Sequence, residues 1–195
     1  MIEPVAVLDI DGVLAEFSLA FTQRLVDMGL LDHAIPQAEQ TTWRFRDSLP
    51  ITRKDEDAVW DYIDGSPTFW LTVPALVTPG DAIALHRLAQ RARIVYMTGR
   101  RDMGNQVHNQ TAIWLRRALL PYGKVILEPD KVKGVAALDG AVIGVIDDRP
   151  AALDALRDAG VLVTAMDRLY NRHVTGMPRV TRVCEWVDSL LSLLR

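Results

Sequence analysis

Four short polar stretches each follow a run of apolar, β-branched residues, and their side chains suit a single reaction. Asp9-Ile10-Asp11-Gly12-Val13 follows the first run and Thr98-Gly99-Arg100 the second. Asp130-Lys131-Val132-Lys133 follows the third and Asp147-Asp148-Arg149-Pro150 the fourth. Asp9 and Asp11 stand two apart, so in an extended chain they point the same way. Carboxylates crowded together with Asp147 and Asp148 repel one another unless a cation sits among them. Oxygen-only ligands favour a hard ion, and Mg²⁺ takes one or two carboxylates together with waters and phosphate oxygens. Thr98 and Lys131 can donate to phosphoryl oxygens and offset their charge. A carboxylate can serve as nucleophile and form an aspartyl-phosphate. Asp11 can protonate the leaving oxygen and later activate water. Gly12 allows a sharp turn past the cation. The chemistry this set suits is phosphoryl transfer with Mg²⁺ as cofactor. Each piece alone has a simpler reading, as a turn, a cap or a helix start; their joint occurrence at successive strand ends carries the inference. Lys131 and Lys133 compete for one role, and the loop position directly after Pro129-Asp130 favours Lys131.

The runs that must position these groups are 5–10, 93–98, 124–128, 142–147 and 161–165. Each is nearly continuous in apolar residues, the pattern of strands buried on both faces. Helical spacing over 81–91, 105–120, 150–159 and 184–194 separates or follows them. Strands alternating with helices predict an α/β fold with a mainly parallel sheet. In such sheets ligands bind outside the carboxyl ends of the strands, where all four polar stretches lie. Residues 16–79 break the rhythm, being far longer than one crossover helix requires. They read as an inserted, mostly helical cap, with helices near 19–28 and 54–63, on a core made of 1–15 and 80–195. Aromatics are scattered through the cap, and Phe17 and Trp70, near its junctions with the core, are the candidates to stack on a nucleobase.

The chain has 195 residues, enough for one core with an insertion. Apolar residues make up 49% and charged residues 24%, which argues against disorder or a coiled coil. No apolar stretch reaches the roughly 18 residues needed to span a bilayer. Met1-Ile2-Glu3-Pro4-Val5 lacks a basic segment followed by a signal-type apolar run, so a cytoplasmic location with no membrane partner is expected. One cysteine, Cys184, cannot form an internal disulfide. A net charge of −3 argues against nucleic-acid binding through bulk charge, leaving a local basic patch open.

The four stretches resemble the motifs of the haloacid dehalogenase-type phosphohydrolase superfamily: DIDGV at 9–13, TGR at 98–100, a lysine at 131 or 133, and DD at 147–148. The resemblance implies a three-layer Rossmann-like core with a five-stranded sheet and strand one central. It implies Asp9 as nucleophile, Asp11 as acid and base, and Thr98, Gly99 and Lys131 at the phosphate. It also implies Mg²⁺ held by Asp9, the backbone carbonyl of Asp11, Asp147 and Asp148. Within the superfamily, Asp11 to Phe17, Phe69-Trp70-Leu71, Asp147 to Pro150 and Arg168-Leu169-Tyr170-Asn171-Arg172 are similar to the 5′(3′)-deoxyribonucleotidases. One departure is Gly99-Arg100, where those nucleotidases carry a small hydroxyl residue and Pro. The TGR form, with Arg101-Asp102 after it, resembles the 3′-phosphatase domain of polynucleotide kinase and makes Arg100 a candidate substrate contact.

The resulting expectation is a Mg²⁺-dependent phosphomonoesterase acting through an aspartyl-phosphate on nucleoside monophosphates, as a monomer or homodimer. The alternatives are a 3′-phosphatase for polynucleotide ends or a phosphatase for another small phosphorylated molecule. A non-catalytic nucleotide sensor and a phospho-receiver are further classes. The intact motif set argues against the first, and the Asp-x-Asp with its large insertion against the second.

Overall fold

The structure, a computed structural model, describes residues 2–101 and 106–194. Its strands are β1 (Pro4–Leu8), β2 (Arg93–Thr98), β3 (Lys124–Leu127), β4 (Ala141–Asp147), β5 (Val163–Met166) and β6 (Arg179–Val180). They form one sheet in the order β3-β2-β1-β4-β5-β6, and every neighbouring pair is parallel. The motif reading expects five strands with the first central; the sheet has six. The extra strand, β6, is only two residues long and pairs Arg179 with Ala165 and Val180 with Met166. So short an edge strand, flanked by Pro178 and Thr181, has no apolar run to announce it.

Side-chain alternation sorts β1 between two apolar layers. Val5 and Val7 join Val95, Met97 and Val145 against Val135 of α6 (Lys131–Ala136) and Leu153 and Leu156 of α7 (Pro150–Asp158). Ala6 and Leu8 join Ile94, Tyr96 and Ile146 on the other face. There they meet α4 (Pro79–Ala89), α5 (Gln106–Arg117) and α8 (Val183–Leu193) through Leu85, Leu88, Trp114 and Trp186. The result is an α/β/α sandwich. The expected beginning of α5 at Asn105, and Asp102 of the TGR-like stretch, lie outside the described residues.

Local chemistry sets the helix starts. Thr78 and Asp81 form a reciprocal capping box ahead of α4, with Pro79 in its first turn. Asp130 caps α6 by accepting from the Lys133 amide at 3.1 Å. That cap makes Lys131 the first residue of the helix.

Between β1 and α4 the chain forms α1 (Phe17–Asp27), a 3₁₀ turn at Phe45–Asp47, α2 (Arg53–Gly65) and the short α3 (Phe69–Thr72). It leaves and returns side by side: Glu16 donates to the Pro74 carbonyl and Leu76 to the Leu14 carbonyl, both at 2.8 Å. Phe17 lies 5.8 Å from Trp70 and 5.7 Å from Trp60, nearly parallel to both rings, while Phe21 stacks on Phe45 at 4.4 Å. Burying each such ring contributes about 1.5–3 kcal/mol. This aromatic cluster is continuous with the core layer that holds Leu8 and Leu85.

Candidate active site

The catalytic candidates lie just past the carboxyl ends of the strands. Asp9 prolongs the β1 pairing, its amide donating to the Ile146 carbonyl at 2.9 Å. Asp147 closes β4 and Asp148 follows it. Lys131 enters from α6, nine-tenths buried, and its ammonium pairs with Asp9 and donates to the Met97 carbonyl. It also stands 3.5 Å from Asp147 Oδ2. Lys133 points outward to Glu128 at 3.3 Å, so of the two competing lysines the structure brings Lys131 to the acids.

Gly12 turns the chain over this cluster at φ +81°, a left-handed conformation suited to glycine. A Cβ there would stand 1.9 Å from Asp148 Oδ2. The Gly12 carbonyl accepts two bonds from Arg168, from Nε at 2.9 Å and Nη2 at 2.6 Å. Asp148 Oδ2 accepts from the Tyr170 hydroxyl, which in turn accepts from Gln37 Nε2 at 2.7 Å. Asn171 holds the Asp148 carbonyl at 2.7 Å. Sequence alone assigns Tyr170, Arg168 and Gln37 no place at the site. The signal for the first two was the 168–172 stretch already noted for its resemblance; Gln37 had none.

Thr98 is buried at the end of β2, its hydroxyl 3.3 Å from Asp11 Oδ2. Gly99 follows it, next to Pro129. Arg100 is buried, and its guanidinium grips both oxygens of Asp11, Nε on Oδ2 at 2.8 Å and Nη2 on Oδ1 at 2.7 Å. It lies over the Trp70 ring, 4.1 Å from the centroid. These groups and Phe17 line one cavity of about 430 Å³, whose walls also include Gln40, Trp43, Arg44, Trp60, Arg101 and Arg149.

Burial pushes the Asp9 carboxyl up to about 7; the Lys131 charge opposes this, and the Asp147 and Asp11 carboxylates add to it. Burial also raises Asp148 well above the carboxylate range, reinforced by Asp9 and Asp147 and opposed by the Tyr170 hydroxyl and Arg168. Burial alone would lower the Lys131 ammonium, but the carboxylates of Asp9 and Asp147 outweigh it and raise it.

A hard divalent cation fits here. One oxygen each from Asp9, Asp147 and Asp148 lies within 4.8 Å of the other two. Among the described residues, Asp147 Oδ2 and Asp148 Oδ1 are buried without a hydrogen-bond partner. Buried carboxylate oxygens that accept no hydrogen bond are costly, and a cation would satisfy them.

A stability prediction follows for the cation-free protein. Asp9 binds its proton more tightly folded than unfolded, so its contribution is present below about pH 4 and lost as pH rises to about 7. In EDTA, the thermal midpoint of the wild type should fall relative to that of Asp9→Asn across this window, and Mg²⁺ should close the gap. Parallel pH profiles for the two proteins in EDTA would contradict the raised Asp9.

The fold and the chain-long sequence pattern agree on kinship. The HAD-superfamily hydrolase, subfamily IA, variant 1, of Geobacter sulfurreducens is 17% identical and superposes with a TM-score of 0.56, covering 96% of each chain. A phosphonoacetaldehyde hydrolase-like protein from Oleispira antarctica reaches 0.63 at 13% identity, covering 100% of this chain and 94% of that one. A haloacid dehalogenase-like family hydrolase from Xanthomonas campestris gives 0.53 at 14% identity, over 99% and 96%. These likenesses establish the haloacid dehalogenase-like fold. No curated protein matches the chain in sequence. The family described as 5′ nucleotidase, deoxy (pyrimidine), cytosolic type C protein (NT5C) matches residues 3–194. The chain belongs to that family and is a haloacid dehalogenase-type phosphatase, 5′-nucleotidase-like.

Proposed function

We propose that this protein is a Mg²⁺-dependent phosphomonoesterase for deoxyribonucleoside monophosphates. The observation that carries the reading is a buried carboxylate, Asp9, set among Lys131, Asp147 and Asp148 at the floor of an aromatic-walled cavity. A volume of about 430 Å³ suits a small molecule better than a polymer. Residues 16–79 act as the cap, with Phe17 lining the cavity; Trp70 is buried between Phe17 and the Arg100 guanidinium and offers the base no open face. No helix among the described residues is long and apolar enough to cross a membrane, and a cytoplasmic location fits the family description.

Asp9, Asp147, Asp148 and the Asp11 carbonyl would hold Mg²⁺, which when bound neutralises charge on the phosphoryl group. Lys131, Thr98 and the Gly99 backbone would bind and orient the phosphoryl oxygens. An Asp9 oxygen attacks phosphorus as the ester P–O bond breaks, and Asp11 gives its proton to the departing oxygen. Water then attacks phosphorus of the aspartyl-phosphate, losing a proton to Asp11, as the bond from Asp9 oxygen to phosphorus breaks and returns its pair to the Asp9 carboxylate, and phosphate leaves.

Phosphate release tests this reading. Purified protein is assayed with Mg²⁺ or EDTA against ribo- and deoxyribonucleoside 5′- and 3′-monophosphates, sugar phosphates and a 3′-phosphorylated oligonucleotide. The expected result is Mg²⁺-dependent turnover of deoxyribonucleoside monophosphates. Turnover of the oligonucleotide alone would move the protein to end processing, and silence across the panel would remove the nucleotide assignment.

A further inference from the structure

Arg100 differs from the other arginines lining the cavity. Arg44 and Arg101 are exposed and Arg149 is half-buried, whereas Arg100 is 5% exposed and directs every guanidinium nitrogen to a side chain. Nε and Nη2 take the two oxygens of Asp11, and Nη1 donates to Thr111 Oγ1 of α5 at 2.9 Å. Its flat face rests on Trp70 of α3. Trp70 is itself fixed, its amide accepted by Gln110 Oε1 of α5 at 3.0 Å. Two elements packed against each other, α3 and α5, therefore hold one guanidinium, and that guanidinium holds one carboxylate. A planar fork bonded bidentately fixes the plane of a carboxylate as well as its position, which a lysine in the same place would not do.

The remaining lone pairs on Asp11 are unequal. Among the described residues, Oδ2 takes both Arg100 Nε and the Thr98 hydroxyl, while Oδ1 takes Arg100 Nη2 alone. A carboxylate oxygen has room for about two hydrogen bonds, so Oδ1 keeps one free direction. The Asp11 side chain is 20% exposed, which leaves it access to the cavity.

We propose that Arg100 is a positioning residue that aims Asp11 Oδ1 at the leaving oxygen of the substrate, and is not a substrate ligand. The proposal rests on Asp11 being the acid of the reaction proposed above. A proton carried by Asp11 moves to the ester oxygen as the P–O bond breaks and that oxygen keeps the bonding pair. The resulting Asp11 carboxylate remains clasped by Arg100. Misaiming by a fraction of an ångström is costly because proton transfer needs hydrogen-bond reach.

The test compares kcat/KM for two esters in Mg²⁺. Thymidine 5′-monophosphate has a poor leaving group that needs a proton; p-nitrophenyl phosphate has a good one that leaves without it. Because kcat/KM reports events up to loss of the leaving group, later hydrolysis of the aspartyl-phosphate does not enter. Arg100→Lys should lower kcat/KM about 100-fold for the nucleotide and less than about fivefold for the aryl ester. Thr111→Val, which loosens Arg100 without removing it, should give the same selectivity at about fivefold, and decides the matter if Arg100→Lys does not fold. Asp11→Asn should show the selectivity too, and adding Arg100→Lys to it should cost nothing further. Equal losses on both esters from the Arg100 and Thr111 variants, with Asp11→Asn still selective, would make Arg100 a phosphate ligand and overturn the proposal alone. Loss of selectivity in Asp11→Asn itself would remove the acid role, and this proposal with it.

Discussion

Asp9→Asn should abolish phosphate release, with a loss of about 10⁴-fold or more in kcat, the scale seen when a covalent nucleophile is removed. The amide keeps the shape of the carboxyl but cannot form the acyl phosphate. The fold should survive and gain stability in EDTA. Asp9 is buried among Asp147, Asp148 and Lys131, and its charge is disfavoured by that burial. Removing it relieves repulsion among the three acids that Lys131 offsets only in part in the cation-free protein. Far-ultraviolet circular dichroism with thermal melts, beside phosphate release, checks both halves. Measurable turnover in a well-folded Asp9→Asn protein would end the aspartyl-phosphate reading.

Gly12→Ala should be the most damaging change that adds a single methyl group. The backbone at φ +81° costs a side chain about 1–2 kcal/mol on its own. The new Cβ would meet Asp148 Oδ2 at 1.9 Å and Cγ at 2.6 Å, so either the turn or Asp148 must move. Movement of Asp148 breaks its bond to Tyr170 and withdraws one of the three oxygens suited to a cation. The total destabilisation should be about 3 kcal/mol. Affinity for Mn²⁺, measured by calorimetry as a stand-in for Mg²⁺, should fall about tenfold or more through loss of ligand orientation. An alanine variant that melts and binds Mn²⁺ like the wild type would show that this turn does not hold Asp148.

The sequence was most informative where polar residues ended apolar runs. Asp9, Thr98, Asp147 and Asp148 can be placed together because each lies at or just past the end of a strand buried on both faces, and parallel strands bring their carboxyl ends to one edge. Lys131 needed more. Its separation from Lys133 depends on the Asp130 cap, which starts α6 at Lys131 and sends it inward. The type of Arg100 was visible but its partners were not, because Thr111 and Trp70 come from different elements. Tyr170 and Gln37 meet across 133 positions of sequence, beyond any local pattern. The two-residue β6 owes its existence to its neighbour β5 more than to its own composition.

The Gln37–Tyr170–Asp148 chain has an evolutionary consequence. The chain leaves β1 and returns towards α4 at adjacent points, Glu16 beside Pro74 and Leu14 beside Leu76, so residues 16–79, if they act as the cap proposed above, would suggest a module free to be swapped as new substrates are adopted. Gln37 ties that module to an acid of the central cluster. A lineage that replaced the insertion to accept a different molecule would also release Tyr170 and disturb Asp148. If that segment selects the substrate and Asp148 helps to hold the cation, as proposed above, selection on substrate choice and selection on cation affinity are coupled. Change should come more readily by point substitution along the cavity wall than by exchange of the whole segment.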